Sequence, residues 1–316
     1  MTPVSPLVNR QDQLGRARSG LQMNPVRTVL FLLLFMPLST AGQGIGTLTL
    51  LEGSASVIRG ANVGPAVEGM RLRQGDIIEN SEPGFVQLEF LDGSIVALGP
   101  ASRLYISQIG TRGGKASGVT LILLCGLLKA ESGSVARMSR YDSPLLGAST
   151  GNGTLLFHAT GNACDIFIES GSAMVAEVSR EGIWHQQQSG KAGQFISRRA
   201  GKSLVFLARP SSEFVDSMPH PFKDTLPPHP LKPGEVKAGR PVSYGDVQIW
   251  LTMPLAWRGS FVTRFQSRLN DPEFRKQVEA HLAELPEWDP ILHPKKYQPE
   301  NPVAPVHQSN TPQVRN

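Results

Sequence analysis

Residues 53 to 106 read GSASVIRGANVGPAVEGMRLRQGDIIENSEPGFVQLEFLDGSIVALGPASRLYI, and this stretch decides the fold. It is a series of short β-prone runs punctuated by glycine. Its clearest part is the hairpin FVQLEF-LDGS-IVALG, in which Val86, Leu88 and Phe90 alternate with Gln87 and Glu89. Alternation with period two places the apolar set on one face, so that face is expected to be buried and the other wet. Asp92-Gly93 forms the turn: Gly93 accepts the positive φ of a tight connection, and Asp92 can bond the backbone beyond it. Gly75-Asp76 reads as a second structural turn, with Asp76 bonded to nearby backbone rather than set up for acid or base chemistry.

Working outward, the pattern predicts a mainly β, all-β domain over 45–208. Val119 to Leu128 is continuously apolar apart from Thr120, Cys125 and Gly126, which suits a strand covered on both faces. Cys164, Ile166 and Ile168 alternate with Asp165, Phe167 and Glu169 in a later strand. Gly53-Ser54-Ala55-Val57 recurs as Gly171-Ser172-Ala173-Val175, and Gly75 with Ile78 as Gly193 with Ile196, all at an offset of 118. This echo predicts two related β halves packed on each other.

Residues 209–241 carry prolines at 210, 219, 221, 227, 228, 230, 233 and 241. Proline lacks a backbone donor and forces an extended predecessor, so this is read as a semi-rigid linker, with a course along the β domain as one option. Residues 242–298 change to helical periodicity. Ser243 caps a short helix, Trp257, Phe261 and Phe265 recur every four residues, and Asn270 or Asp271 caps a segment opening on Pro272. So small a helical unit is expected to dock on the β domain. Residues 299–316 lack apolar mass and are expected to be disordered.

At the amino end, TVLFLLLFM (28–36) follows Arg27 and is shorter than the ~20 residues of a spanning helix. It suits the apolar part of a signal peptide, with cleavage expected after Ala41. The leader 1–41 is long, and Met23 offers a start of ordinary proportions. A periplasmic or secreted protein follows; the alternative is a signal anchor retained in the inner membrane. No lipobox follows the apolar run.

At Gly53-Ser54-Ala55, Val57, Arg59-Gly60, Gly69, Leu72, Gly75-Asp76-Ile77, Leu88, Phe90, Asp92-Gly93-Ser94 and Leu98-Gly99-Pro100, the chain resembles the FecR domain, the periplasmic all-β domain of iron-dicitrate-type sensors. The resemblance implies a sensing or interaction module, a sandwich or roll, and no enzymatic activity. FecR regulators carry a cytoplasmic anti-sigma domain ahead of one membrane span. The residues ahead of the apolar run here show no helical pattern, so that role is not carried over.

Composition and motifs bound the function. The formal charge of +5 owes three units to the leader, where Arg10, Arg16, Arg18 and Arg27 face Asp12 alone. The remaining 27 basic and 25 acidic residues form no dense basic run, which argues against nucleic acid as partner. The glycine-rich Arg112–Gly118 has Ala116 after Lys115 and fails the P-loop pattern. Seven histidines are scattered with no ligand spacing, so no metal or other cofactor is expected. No Gly-x-Ser-x-Gly elbow is present. An oxidising compartment makes Cys125 and Cys164 a candidate disulfide, which would be worth on the order of 4 kcal/mol; two buried free thiols are the other reading. Trp184, in Glu-Gly-Ile-Trp-His, is read as an exposed contact residue at a hairpin tip. The reading is a non-catalytic module recognising an envelope protein or polymer, meeting a membrane only through an uncleaved leader. A structural scaffold is the alternative, and a carbohydrate-active enzyme a third.

Overall fold

The computed structural model describes residues 45–112, 115–135, 137–234 and 239–297. The leader with Met23 and Ala41, Gly113-Gly114 of the glycine-rich loop, and the tail from 299 onward lie outside the described residues. The fold is mainly β, followed by short helices.

Fifteen strands are hydrogen-bonded into one network: β1 Gly46–Arg59, β2 Asn62–Pro65, β3 Arg71–Leu72, β4 Ile77–Phe90, β5 Ile95–Leu98, β6 Arg103–Arg112, β7 Lys115–Glu131, β8 Ser139–Asp142, β9 Leu146–Thr150, β10 Gly153–Ala159, β11 Ala163–Val178, β12 Trp184–Lys191, β13 Phe195–Arg199, β14 Val205–Leu207 and β15 Arg240–Pro241. All pairs are antiparallel except β7 with β8. A strand has only two edges, yet β7 pairs with four others: β6 and β8 along its first half, β5 and β10 along its second. β1, β4 and β11 divide in the same way. Each of these long strands therefore leaves one layer and enters the other. One layer runs β12-β11-β9-β8-β7-β6-β4-β1-β2-β15, and the second runs β14-β13-β11-β10-β7-β5-β4-β1-β3. Their inner faces share one core that includes Leu48, Val57, Leu88, Leu121, Phe157 and Ile166.

Glycines make the corners. On β7 the inward residues are 119, 121 and 123, then 128 and 130. One residue has been inserted between the two sets, at Gly126, which has φ +97°. β11 changes parity the same way around Gly171, while on β1 the extra residue falls at the bulge between Leu48 and Leu50, ahead of the corner at Gly53. A Cβ on Gly126 would lie 2.5 Å from Ser102 Cα, so both conformation and space exclude a side chain.

The echo between the halves holds in part. Gly53 and Gly171 are corresponding corners. Beyond them the constant offset fails: Gly69 N donates to Leu48 O (2.8 Å) and Leu48 N to Met70 O (2.9 Å), while Gly193 N donates to Ile168 O (2.7 Å) and Ile168 N to Gln194 O (3.0 Å). Gly193 therefore corresponds to Gly69, and Gly75 to Gly201 in a like turn. The five-residue β11–β12 connection, longer than Gly60-Ala61 between β1 and β2, and a bulge between Val175 and Glu177 shift the register.

Both outer faces are covered. Ile58, Ile77, Tyr105, Ile122 and Val178 lie under Trp250, Phe261 and Phe265 of the helical unit. The Arg264 guanidinium adds bonds to the carbonyls of Ile58, Gly60 and Gly75 at 2.8, 2.7 and 2.6 Å. Ser243 and Asp246 form a capping box on the Tyr244–Leu251 helix. The expected second helix is broken at Gly259-Ser260 into Leu255–Arg258 and Phe261–Phe265, yet its aromatic stripe is buried.

The proline-rich segment takes the course along the β domain. It is a strap across the other layer, where Phe214, Phe222 and Leu226 cover Phe85, Ala97, Leu127, Leu156 and Phe195. The hairpin face expected to be wet lies beneath it: Gln87 is 1% exposed and donates to Pro227 O at 2.8 Å, and Glu89 accepts from His229 N at 2.8 Å.

Candidate functional site: a cationic cleft

The residues singled out in the sequence fall in separate places. Asp92 Oδ1 accepts from Ser94 N (3.0 Å) and Ser94 Oγ (2.6 Å), with Gly93 at φ +80°, which is the hairpin turn. Asp76, 1% exposed, takes two bonds from Arg59, at 2.9 and 2.7 Å, and one from Arg73 N at 2.9 Å, beside Gly75 at φ +88°. Both carboxylates are engaged in holding turns.

Cys125 and Cys164 are free thiols and are not joined. Cys164 lies between the layers, 3.0 Å from Ser143 Oγ, and burial pushes its thiol up to about 12. Cys125 lies at a corner, near Ala101 O and the Arg103 side chain. Trp184 is not an exposed tip. It opens β12, half-buried, with Nε1 donating to Asp142 Oδ1 at 2.6 Å and the Arg140 guanidinium 4.1 Å over its ring. The neighbouring Ile183 is the exposed apolar residue of that turn. Burial raises the Asp142 carboxyl above its ordinary range, against the opposing pull of Arg140 and Trp184.

The arrangement with most binding potential was not singled out. A cleft of 710 Å³ is lined by Thr47, Arg59, Arg71, Arg73, Leu91, Leu231 and Lys232, with the backbone of Gly46, Gly69 and Gly234. Arg71 and Arg73 flank buried Leu72 at the start of β4's approach, so strand periodicity sends both outward. Arg59 is paired with Asp76 and Lys232 with Glu68 (2.8 Å), while among the described residues no carboxylate pairs with Arg71 or Arg73. Four cations against two carboxylates leave two positive charges in excess. The Lys232 ammonium, and then the Leu51 N–H, hold the Glu68 carboxyl below its ordinary range. The strap is pressed closely here: a Cβ on Gly69 would lie 1.9 Å from Lys232 O, and one on Gly234 1.9 Å from Glu68 O. Lys232 comes from the far end of the chain, so no sequence run of basic residues marks this cleft.

A second recess is lined by His158, Thr160, Asn162, Asp165, Arg199, Glu213 and Phe214. It gathers a histidine, two carboxylates and an arginine, but the side-chain bond made there by Asp165 is to Arg199, at 2.8 Å. Neither His158 nor Glu213 is hydrogen-bonded through its side chain to the other ionisable groups, so no base is aligned on a nucleophile. Among the described residues no group of three or more metal-ligating side chains converges, and no helix is long and apolar enough to cross a membrane.

What the fold and the cleft define is a mainly β protein of two layers sharing bent strands, with one cationic surface. No protein-family model matches the chain, and no curated protein matches it. Two crystal structures of a candidate anti-sigma factor from Parabacteroides distasonis ATCC 8503, at 2.50 and 1.65 Å resolution, are similar at 8% identity with a TM-score of 0.35. The likeness covers 44% of this chain and 62% of that one, so this chain spans less than two thirds of the structures it matches. A likeness this distant bears on neither chemistry nor partner.

Proposed function

We propose that this chain is an exported, non-catalytic binding or sensing module of the bacterial cell envelope, and that the cationic cleft is its recognition surface for an anionic envelope protein or polymer. The carrying observation is Arg71 and Arg73, side by side, exposed and without a carboxylate partner among the described residues. Arginines at and just beyond the end of a strand, with no carboxylate partner among the described residues and walled by a pinned strap, favour bidentate recognition of carboxylate or phosphate groups. The FecR-like residues of 53–106 support a role in interaction, and the leader supports export.

The test is binding of fluorescein-labelled poly-glutamate and of inorganic polyphosphate to the protein, read by anisotropy over a salt series. Binding is expected to weaken with salt, and the double variant R71E/R73E to bind roughly tenfold or more weakly. A wild type that binds neither polyanion, or a variant that binds as well as wild type, would overturn the proposal.

A further inference from the structure

Leu91 and Leu231 are 78% and 71% exposed, the highest values among the large apolar residues described, and both stand on the same cleft. They approach it from elements far apart in sequence. Leu91 opens the turn between β4 and β5, and Leu231 lies on the strap between Pro230 and Pro233. Neither can turn inward. The turn at Leu91 is fixed by the Asp92 and Ser94 bonds, and the strap at Leu231 by its prolines and by the Lys232–Glu68 pair. Two protruding leucines beside two arginines that pair with no carboxylate among the described residues present apolar and cationic chemistry together.

From this we infer that the cleft docks the β core on an anionic lipid surface. Leu91 and Leu231 enter the headgroup region, while Arg71, Arg73 and Lys232 meet lipid phosphates. The inference rests on the cleft being an anion-recognition surface and departs from that reading in the partner, a lipid surface in place of a protein or polymer. A soluble polyanion or free phosphate would satisfy the arginines and leave the leucines in water. An anionic bilayer satisfies both, combining apolar insertion with electrostatic attraction, two signals that separately bind weakly.

Flotation of the protein with phosphatidylglycerol vesicles and with phosphatidylcholine vesicles tests this, with inorganic phosphate as competitor and the polyanion titration run in parallel. The expected result is salt-sensitive binding to phosphatidylglycerol, little to phosphatidylcholine, and no displacement by phosphate at concentrations that leave ionic strength unchanged. The variant L91Q/L231Q should lose roughly tenfold in vesicle binding, a larger factor than any it loses in polyanion affinity, because the leucines line the cleft but carry no charge. R71E/R73E should lose both. Both leucines are exposed, so the variant's unfolding midpoint should match wild type and keep the comparison clean.

If wild type binds polyanions but not vesicles, or if L91Q/L231Q binds vesicles as well as wild type, the membrane inference fails while the recognition reading stands. An acidic peptide or polymer would then be the partner. If wild type binds neither, the recognition reading itself fails, and the inference with it.

Discussion

Replacing Lys129 by methionine should loosen the strap and cost about 3 kcal/mol. Lys129 sits on β7 facing outward, 1% exposed, beneath the proline-rich segment. Its ammonium donates to Phe222 O at 3.1 Å and Asp224 O at 2.8 Å, and lies 3.0 Å from Glu169 and 3.6 Å from Glu131. A hydrogen bond involving a charged group is worth about 1.5–3 kcal/mol, and removing one partner of a buried ion pair costs about 3–5 kcal/mol. The low end applies, because Glu169 is 37% exposed and can rehydrate, and Glu131 keeps the bond from Leu226 N at 2.9 Å. Methionine preserves most of the packing, so the loss reports the polar contacts. Urea unfolding followed by circular dichroism gives the free energy, and tryptic cleavage at Lys223 reports strap opening. K129M should unfold at lower urea and be cut faster, whereas E169Q should change stability by less than about 1 kcal/mol. A K129M loss below about 1 kcal/mol with wild-type protection at Lys223 would refute the view that this lysine fastens the strap.

Three further outcomes follow from the geometry. Gly126→Ala should destabilise by several kcal/mol or prevent folding, since strain at φ +97° adds to the clash with Ser102, while Gly75→Ala, at φ +88° in open space, should cost only about 1–2 kcal/mol; equal melting points would contradict the corner assignment. Asp246→Ala removes both the capping box and the Arg240 pair, costing about 1 kcal/mol at neutral pH. The Arg240 bond holds the Asp246 carboxyl well below its ordinary range, so its contribution is full above the unfolded carboxylate pKa and is lost as pH falls through the folded one. The wild-type and variant stability curves should therefore converge in acid, and a gap that persists there would exclude the carboxylate as its source. Titration with a thiol reagent should modify Cys125 in the native protein and both cysteines after unfolding without reductant; a protein showing no reactive thiol when unfolded would contradict the free-thiol geometry.

The hairpin at Asp92-Gly93, the turn at Gly75-Asp76, the doubly covered strand through Val119–Leu128 and the cap at Ser243 were legible because each rests on local chemistry: period-two alternation, a positive φ, or a side chain bonding its own turn. The layering was not. Gly53, Gly126 and Gly171 look like other glycines in the sequence, yet each marks the corner where the second half of its strand enters another layer, on a strand whose inward parity changes by one residue. A parity change reads as weakened alternation unless both halves are known to be strands. Trp184 was misplaced for a related reason: the turn it was assigned to ends one residue earlier, at Ile183, and its indole is drawn down to Asp142 across the layer.

The strap explains why the polar face of the hairpin misled and why the cleft had no sequence signature. Proline supplies a carbonyl but no N–H, so a proline-rich segment covering a sheet needs donors from the surface beneath it. The outward polar residues of β4 and β7 fill that need: Gln87 donates to Pro227, Lys129 to Phe222 and Asp224, while Glu89 and Glu131 accept the remaining N–H groups of His229 and Leu226. In sequence such residues are indistinguishable from solvated ones, because alternation records the two faces of a strand and not what covers them. The same anchors carry the strap to Glu68, where Lys232 and Leu231 complete a wall opposite Arg71 and Arg73. These anchors are spaced along the segment, so loosening it at Lys129 should leave its far end bound through Gln87, Glu89 and Glu68. The cleft is thereby insulated from the strap's other end, and the anion affinity proposed for it should survive a K129M substitution that lowers global stability.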